Sequence, residues 1–236
     1  MFPIRDDIPS QRYPVVTVAI IVVNAAAFLF ELVLGEHLQE FLLSWAIVPV
    51  RYTVPDVAGQ FSLPEQLLPF VSSMFLHGGW THLIGNMWSL WIFGDNVEDR
   101  LGRFRFLCLY LVGGVVAALM HIYTNAGSAM PTIGASGAIA AVMGAYFRLY
   151  PHARVEMLIP PFLFGPFFVV PAVLFLGWWF TLQFFNGTLS LLSNPGQIGG
   201  VAWWAHIGGF VFGALFCSII KVKHFYRRHH EEEIAW

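Results

Sequence analysis

Charge is what this sequence has least of. Only 11% of its 236 residues are Asp, Glu, Lys or Arg, against about 25% in a soluble domain, whose surface must face water. So few charges cannot cover a globular surface. The 57% hydrophobic content, 23 Phe, 9 Trp and mean hydropathy of +0.67 point the same way. A basic excess is also missing: 12 Lys and Arg stand against 14 Asp and Glu, which excludes a polycationic surface and a nucleic-acid partner. Cysteine is nearly absent, and Cys108 and Cys217 lie inside apolar runs, so neither a disulfide framework nor a metal site is expected. What remains is an integral membrane protein whose surroundings are the lipid bilayer.

A membrane-spanning helix needs roughly 20 mostly apolar residues. Six runs qualify: Val15–Leu34, a core at 82–93 that must extend past Gly94, 106–123, a short one at 136–150, 167–185 and 202–220. The first run is too long for a cleavable signal peptide, follows Asp6 and Asp7, and precedes five more spans. The start of the chain shows no Arg- and Ser-rich transit segment, which favours a bacterial plasma membrane. Eleven of the twelve basic residues fall on one side of this layout: Arg5, Arg12, Arg100, Arg103, Arg105, Arg148, Arg154, Lys221, Lys223, Arg227 and Arg228. The positive-inside rule then puts both termini in the cytoplasm. The expected fold is all-α: one six-helix transmembrane domain over 1–236, with cytoplasmic tails 1–14 and 221–236. The outer loop 35–81 carries apolar patches suited to short interfacial helices. Segments 125–135 and 186–200 read as loops, and the prolines of 158–171 exclude a regular helix there.

Polar residues inside spans are costly, and each is a functional candidate. Four stand out: His82, Asn86, Ser136 and His206. The basic residues give a ruler at about 1.5 Å per helical residue. Ser136 lies about 18 Å above Arg148, His206 about 22 Å above Lys221, and Asn86 about 21 Å above Arg100. Three spans therefore bring polar groups to one layer, roughly 10 Å beneath the outer face.

The helix faces agree. Ser136, Ala140 and Gly144 form a small-residue stripe, and His206, Gly209 and Gly213 form another. Such stripes let membrane helices approach closely, and alone they signify only packing. Together they would bring the Ser136 hydroxyl towards the His206 imidazole. A serine hydroxyl becomes an effective nucleophile when a base takes its proton, and histidine is the usual base. Gly134 and Gly137 flank the serine and permit a tight turn, leaving backbone N–H groups at a helix N-terminus for a developing oxyanion. His82 and Asn86, one turn apart, can add side-chain donors. His77 and His82 are spaced by five and do not stack on one helix, so no metal is expected.

These residues resemble the rhomboid intramembrane serine proteases. The matching motifs are His77-Gly-Gly-Trp-Thr-His82-Leu-Ile-Gly-Asn86 with Glu98-Asp-Arg100-Leu-Gly102, then Gly134-Ala-Ser136-Gly137, then Ala205-His206-Ile-Gly-Gly209 with Gly213. They stand in order on the second, fourth and sixth spans. The resemblance implies a Ser136 nucleophile, a His206 general base, and an oxyanion hole of His82, Asn86 and the backbone N–H groups of Ser136 and Ala135. It also implies a structural Glu98–Arg100 cluster, no cofactor, transmembrane proteins as substrates, and a mobile lateral gate at the fifth span, which carries Trp178 and Trp179. Two positions depart from the pattern. Leu68-Pro69 replaces a Trp-Arg that anchors the first loop, and Ala140 replaces a Tyr that packs on the catalytic imidazole. The His206 ring must then be held by other groups, or held less firmly. The rival expectations are a catalytically inactive relative acting as a membrane chaperone, which typically lacks the serine or histidine, and a small transporter, which would place carboxylates or broken helices at the midplane.

Overall fold

The computed structural model describes residues 2–158, 168–192 and 201–220. Each of the six apolar runs forms a long helix: α1 (Val15–Leu34), α2 (Trp80–Leu101), α3 (Arg103–Thr124), α4 (Ser136–Leu149), α5 (Ala172–Leu192) and α6 (Trp203–Ile219). Among the described residues, two stretches are long and apolar enough by themselves to cross a membrane, Val15–Trp45 and Arg103–Thr124; Ser136–Leu149 and Trp203–Ile219 are apolar but shorter. Outward faces are apolar too, as with Val22, Leu29 and Phe30 on α1 and Trp178, Phe184 and Phe185 on α5.

The expectation of a purely helical chain needs correction. Strands β1 (Phe2–Asp6), β2 (Arg154–Leu158) and β3 (Phe168–Pro171) form an antiparallel sheet in the order β1-β2-β3. Of the proline-rich stretch 158–171, residues 159–167 lie outside the described residues; after them the β-branched and aromatic residues of β3 take up ladder pairing. As a result α5 begins at Ala172, five residues after the apolar run starts. It also continues to Leu192, through residues that read as loop. Asn186 Nδ2 donates to the Leu182 carbonyl at 2.8 Å and Thr188 Oγ1 to Phe184 at 2.9 Å. These polar side chains bond back to their own helix and leave its ladder intact. Residues 193–200, the rest of that expected loop, lie outside the described residues, as does the tail 221–236.

The centre of the fold is α4, buried continuously from Gly137 to Tyr146. Its small stripe lies against that of α6 at backbone contact. A Cβ on Gly213 would stand 1.8 Å from the Ala141 carbonyl oxygen, and one on Gly209 would stand 2.2 Å from that of Gly137. Here glycine is a steric requirement.

Two polar devices hold the periphery. Glu98, near the end of α2, accepts from the backbone N–H groups of Val16 (2.9 Å) and Thr17 (2.7 Å) and from Thr17 Oγ1 (2.8 Å). The first turn of α1 follows Pro14 and has no side-chain cap of its own, so a carboxylate from another helix satisfies its orphan donors. In the first loop, Arg51 is buried, donates to the Leu43 carbonyl, and lies 4.3 Å from the Phe61 ring centroid. The loop is thus anchored by Arg51 and by short helices including Leu38–Trp45, Leu63–Leu67 and Pro69–Ser72. It in turn pins the segment before α4: Ile47 and Thr132 exchange backbone bonds, and Gly134 N–H donates to the Ser73 carbonyl at 2.9 Å.

Candidate active site

Ser136 is the first residue of α4, and its backbone approach is set by Gly134, whose φ of +129° falls where L side chains rarely go. A Cβ there would also lie 2.7 Å from His82 Nε2 and 3.8 Å from Asn86 Nδ2. The glycine leaves room for both side chains beside the serine.

The geometry brings Ser136 and His206 together. Ser136 Oγ stands 2.8 Å from His206 Nε2. On the far side of the ring, His206 Nδ1 stands 2.8 Å from Gln183 Oε1 on α5. An amide oxygen only accepts, so Nδ1 carries the proton and Nε2 presents its lone pair to the serine hydroxyl, which donates. The imidazole is therefore already in the tautomer a general base requires.

His82 and Asn86 occupy one face of α2 beside Gly134. His82 Nδ1 accepts from the Gly78 N–H at 3.4 Å, which leaves Nε2 as the donor facing the serine loop. Asn86 Nδ2 is buried with no hydrogen-bond partner among the described residues. A buried amide donor left without a partner costs free energy unless something arrives to take it. Ala135 is fully buried, and the backbone N–H groups of the first turn of α4 have no partner within the helix. The expected donors thus converge from two helices.

His77 lies near this group but differs in role. Its backbone N–H donates to both carboxylate oxygens of Glu31 on α1, at 3.1 and 3.3 Å, and its ring meets that of His82 edge-on, 5.1 Å between centroids. The spacing of five does not stack on a helix, but His77 precedes α2, so the rings meet through the turn.

Beside Ser136 lies a cavity of about 40 Å³, lined in part by Met74, Gly114, His121, Thr132 and Gly137. It has room for water, and its polar wall is a hydrogen-bonded pair, Thr132 Oγ1 to His121 Nε2 at 2.7 Å.

Gln183 was not anticipated, and Trp179 was expected only as part of a lateral gate. The ring left unsupported by Ala140 is held by α5: Trp179 lies against it with centroids 5.9 Å apart and planes at 33°, and Gln183 fixes its Nδ1. Gln183 is almost fully buried in an apolar helix, the same signal that singled out His82 and Asn86. Its position in a span taken to end at residue 185, beside an expected loop, hid it.

Residues 64–222 match the family model of the Rhomboid domain. The chain belongs to the rhomboid family. This rhomboid protein is 32% identical over 186 residues to the mitochondrial presenilin-associated rhomboid-like protein A of Danio rerio, covering 74% of this chain and 43% of that one. It is 26% identical over 153 residues to the mitochondrial Rhomboid protein 1 of Saccharomyces cerevisiae, covering 63% and 40%. RHOMBOID-like protein 5 of Arabidopsis thaliana matches 75 residues at 36% identity, covering 32% and 24%. The chain spans about two-fifths of the length of the first two. Both carry mitochondrial names, and a bacterial plasma membrane draws no support from them. Family and helical build agree on an integral membrane protein.

Proposed function

We propose that this rhomboid protein is an intramembrane serine endopeptidase that cleaves transmembrane segments of other membrane proteins. On this reading all six long helices span the bilayer, both termini lie in the cytoplasm, and the site opens to the opposite face. The observation that carries the proposal is the 2.8 Å contact between Ser136 Oγ and His206 Nε2, with Nδ1 committed to an acceptor behind it.

In the reaction, His206 Nε2 takes the hydroxyl proton as Ser136 Oγ bonds to the scissile carbonyl carbon. The oxyanion is received by His82 Nε2–H, Asn86 Nδ2–H and the backbone N–H groups of Ser136 and Ala135. His206 then delivers the proton to the leaving amine as the C–N bond breaks. Water, deprotonated by the same nitrogen, attacks the acyl-enzyme and releases Ser136. The cavity beside Ser136 supplies a place for that water. α4 has 14 residues, about 21 Å of helix, so a serine at its first residue sits below the outer surface. A substrate helix must unwind locally to present a peptide bond there.

The test is labelling with a serine-directed fluorophosphonate, together with cleavage of a model transmembrane substrate by the full chain in detergent or vesicles. Wild type should label and cleave, and Ser136→Ala and His206→Ala should do neither. A wild-type chain silent in both assays supports an inactive, chaperone-like relative. Cleavage retained in either variant overturns the dyad.

A further inference from the structure

We infer that Gln183 is a positioning residue for His206, holding its imidazole with Nε2 unprotonated and aimed at Ser136; the inference rests on the protease reading of the site.

The argument begins with the amide itself. Gln183 is 6% exposed, and it lies on a helix whose other buried residues are Ala172, Leu176 and Gly187. A polar side chain in such a setting is expensive unless both ends of the amide are satisfied. Both are: Oε1 faces His206 Nδ1 at 2.8 Å, and Nε2 donates to the Trp179 carbonyl at 3.3 Å. Flipping the amide would set its oxygen against the carbonyl oxygen of Trp179, so the second bond fixes which end meets the imidazole. Nδ1 must then donate.

Trp179, one turn earlier on the same face, lies against the ring. A single helix therefore supplies both restraints on the imidazole: its plane from Trp179 and its tautomer from Gln183. A carboxylate at this position would hold the same tautomer and would also stabilise the imidazolium by charge. An amide offers only its dipole, so the base is oriented with less electrostatic assistance. Gly187, one turn later, lets α5 sit close against α6: a Cβ there would lie 3.1 Å from Trp204 Nε1, which donates to the Gly187 carbonyl at 3.0 Å. That contact fixes the height at which Gln183 meets His206.

Two variants of the full chain test this, Gln183→Leu and Gln183→Glu, each followed by steady-state cleavage, fluorophosphonate labelling rate and the ¹⁵N signals of His206. In Gln183→Leu, kcat and the labelling rate should fall roughly 10- to 100-fold, KM should stay within about twofold, and the Nδ1–H tautomer signature should be lost. Gln183→Glu should restore the signature and most of kcat, and should move the acidic limb of the kcat profile to higher pH, because a carboxylate favours the imidazolium. The other titratable groups around His206, His82 on α2 and His121 on α3, are unchanged in both variants. Wild-type kcat in Gln183→Leu, a loss carried wholly by KM, or an unmoved limb in Gln183→Glu overturns the inference. If wild type neither labels nor cleaves, the protease reading fails, and the ¹⁵N signature alone still decides whether Gln183 sets the tautomer.

Discussion

At the scale of single residues, the proposed reaction draws on donors that only a substrate would engage. Asn86 Nδ2 is the clearest case, a buried donor without a partner among the described residues. On the protease reading, replacing it with Ala should remove one oxyanion contact made only in the transition state. The expected result is a fall of about 10²–10³ in kcat with little change in KM, read from steady-state cleavage. Asp6 offers a different test, away from the spans. Burial, opposed by the hydrogen bond from the Tyr146 hydroxyl, pushes its carboxyl up to about 6, and Asn96 Nδ2 also donates to it at 2.8 Å. A carboxyl raised on folding binds its proton more tightly in the native state. Its stabilisation is complete below the unfolded value near 3.8 and is lost as pH rises through 6. Relative to Asp6→Asn, the wild-type chain should therefore lose about 1–2 kcal/mol between pH 4 and pH 7, after allowance for partial exposure. Thermal unfolding at the two pH values in detergent measures it; a gain in relative stability with pH would refute it. Ser136, His206, His82 and Asn86 were legible in the sequence because each is an uncharged polar group in an apolar run at a common depth. Gln183 carries the same signal but stood beside an expected loop, and the contact of Trp179 with His206 was not legible, because partnership across helices leaves no spacing signal along the chain.

At the scale of elements, the packing of α4 on α6 decides whether the serine and histidine meet at all. Gly213 and Gly85 make a matched comparison. A side chain at Gly213 runs into the Ala141 backbone, whereas a Cβ at Gly85 on α2 meets nothing within 4 Å. Gly213→Val should cost about 1–3 kcal/mol from overpacking and reduce labelling of Ser136 by moving α6. Gly85→Ala should be neutral or stabilising by up to ~1 kcal/mol, through helix propensity. Unfolding midpoints and labelling of the two variants separate these outcomes. The stripes of small residues announced this contact in the sequence, since only small residues recur at that spacing. The sheet did not announce itself: β1 and β2 are about 150 positions apart along the chain, and pairing over that distance leaves no local pattern.

At the scale of the whole molecule, the scarce charges do two jobs. Eleven basic residues set the proposed orientation, and the twelfth, Arg51, anchors the first loop through Leu43 and Phe61. The orientation is open to a direct check in a chain freed of Cys108 and Cys217. A single cysteine at Gln11 and one at Ala129, both exposed positions, should react with a membrane-impermeant maleimide from opposite faces of sealed vesicles. Reaction from one face would overturn the proposed topology. The sequence by itself determined the membrane class, the six apolar helices and four polar residues at one level, because hydrophobic length and helical rise are local quantities that add along a chain. Only the tertiary structure decided that α5 holds the His206 imidazole, that Glu98 caps α1, and that Arg51 anchors the first loop. Those are contacts between segments far apart in the chain, and their geometry comes into being only when the helices pack.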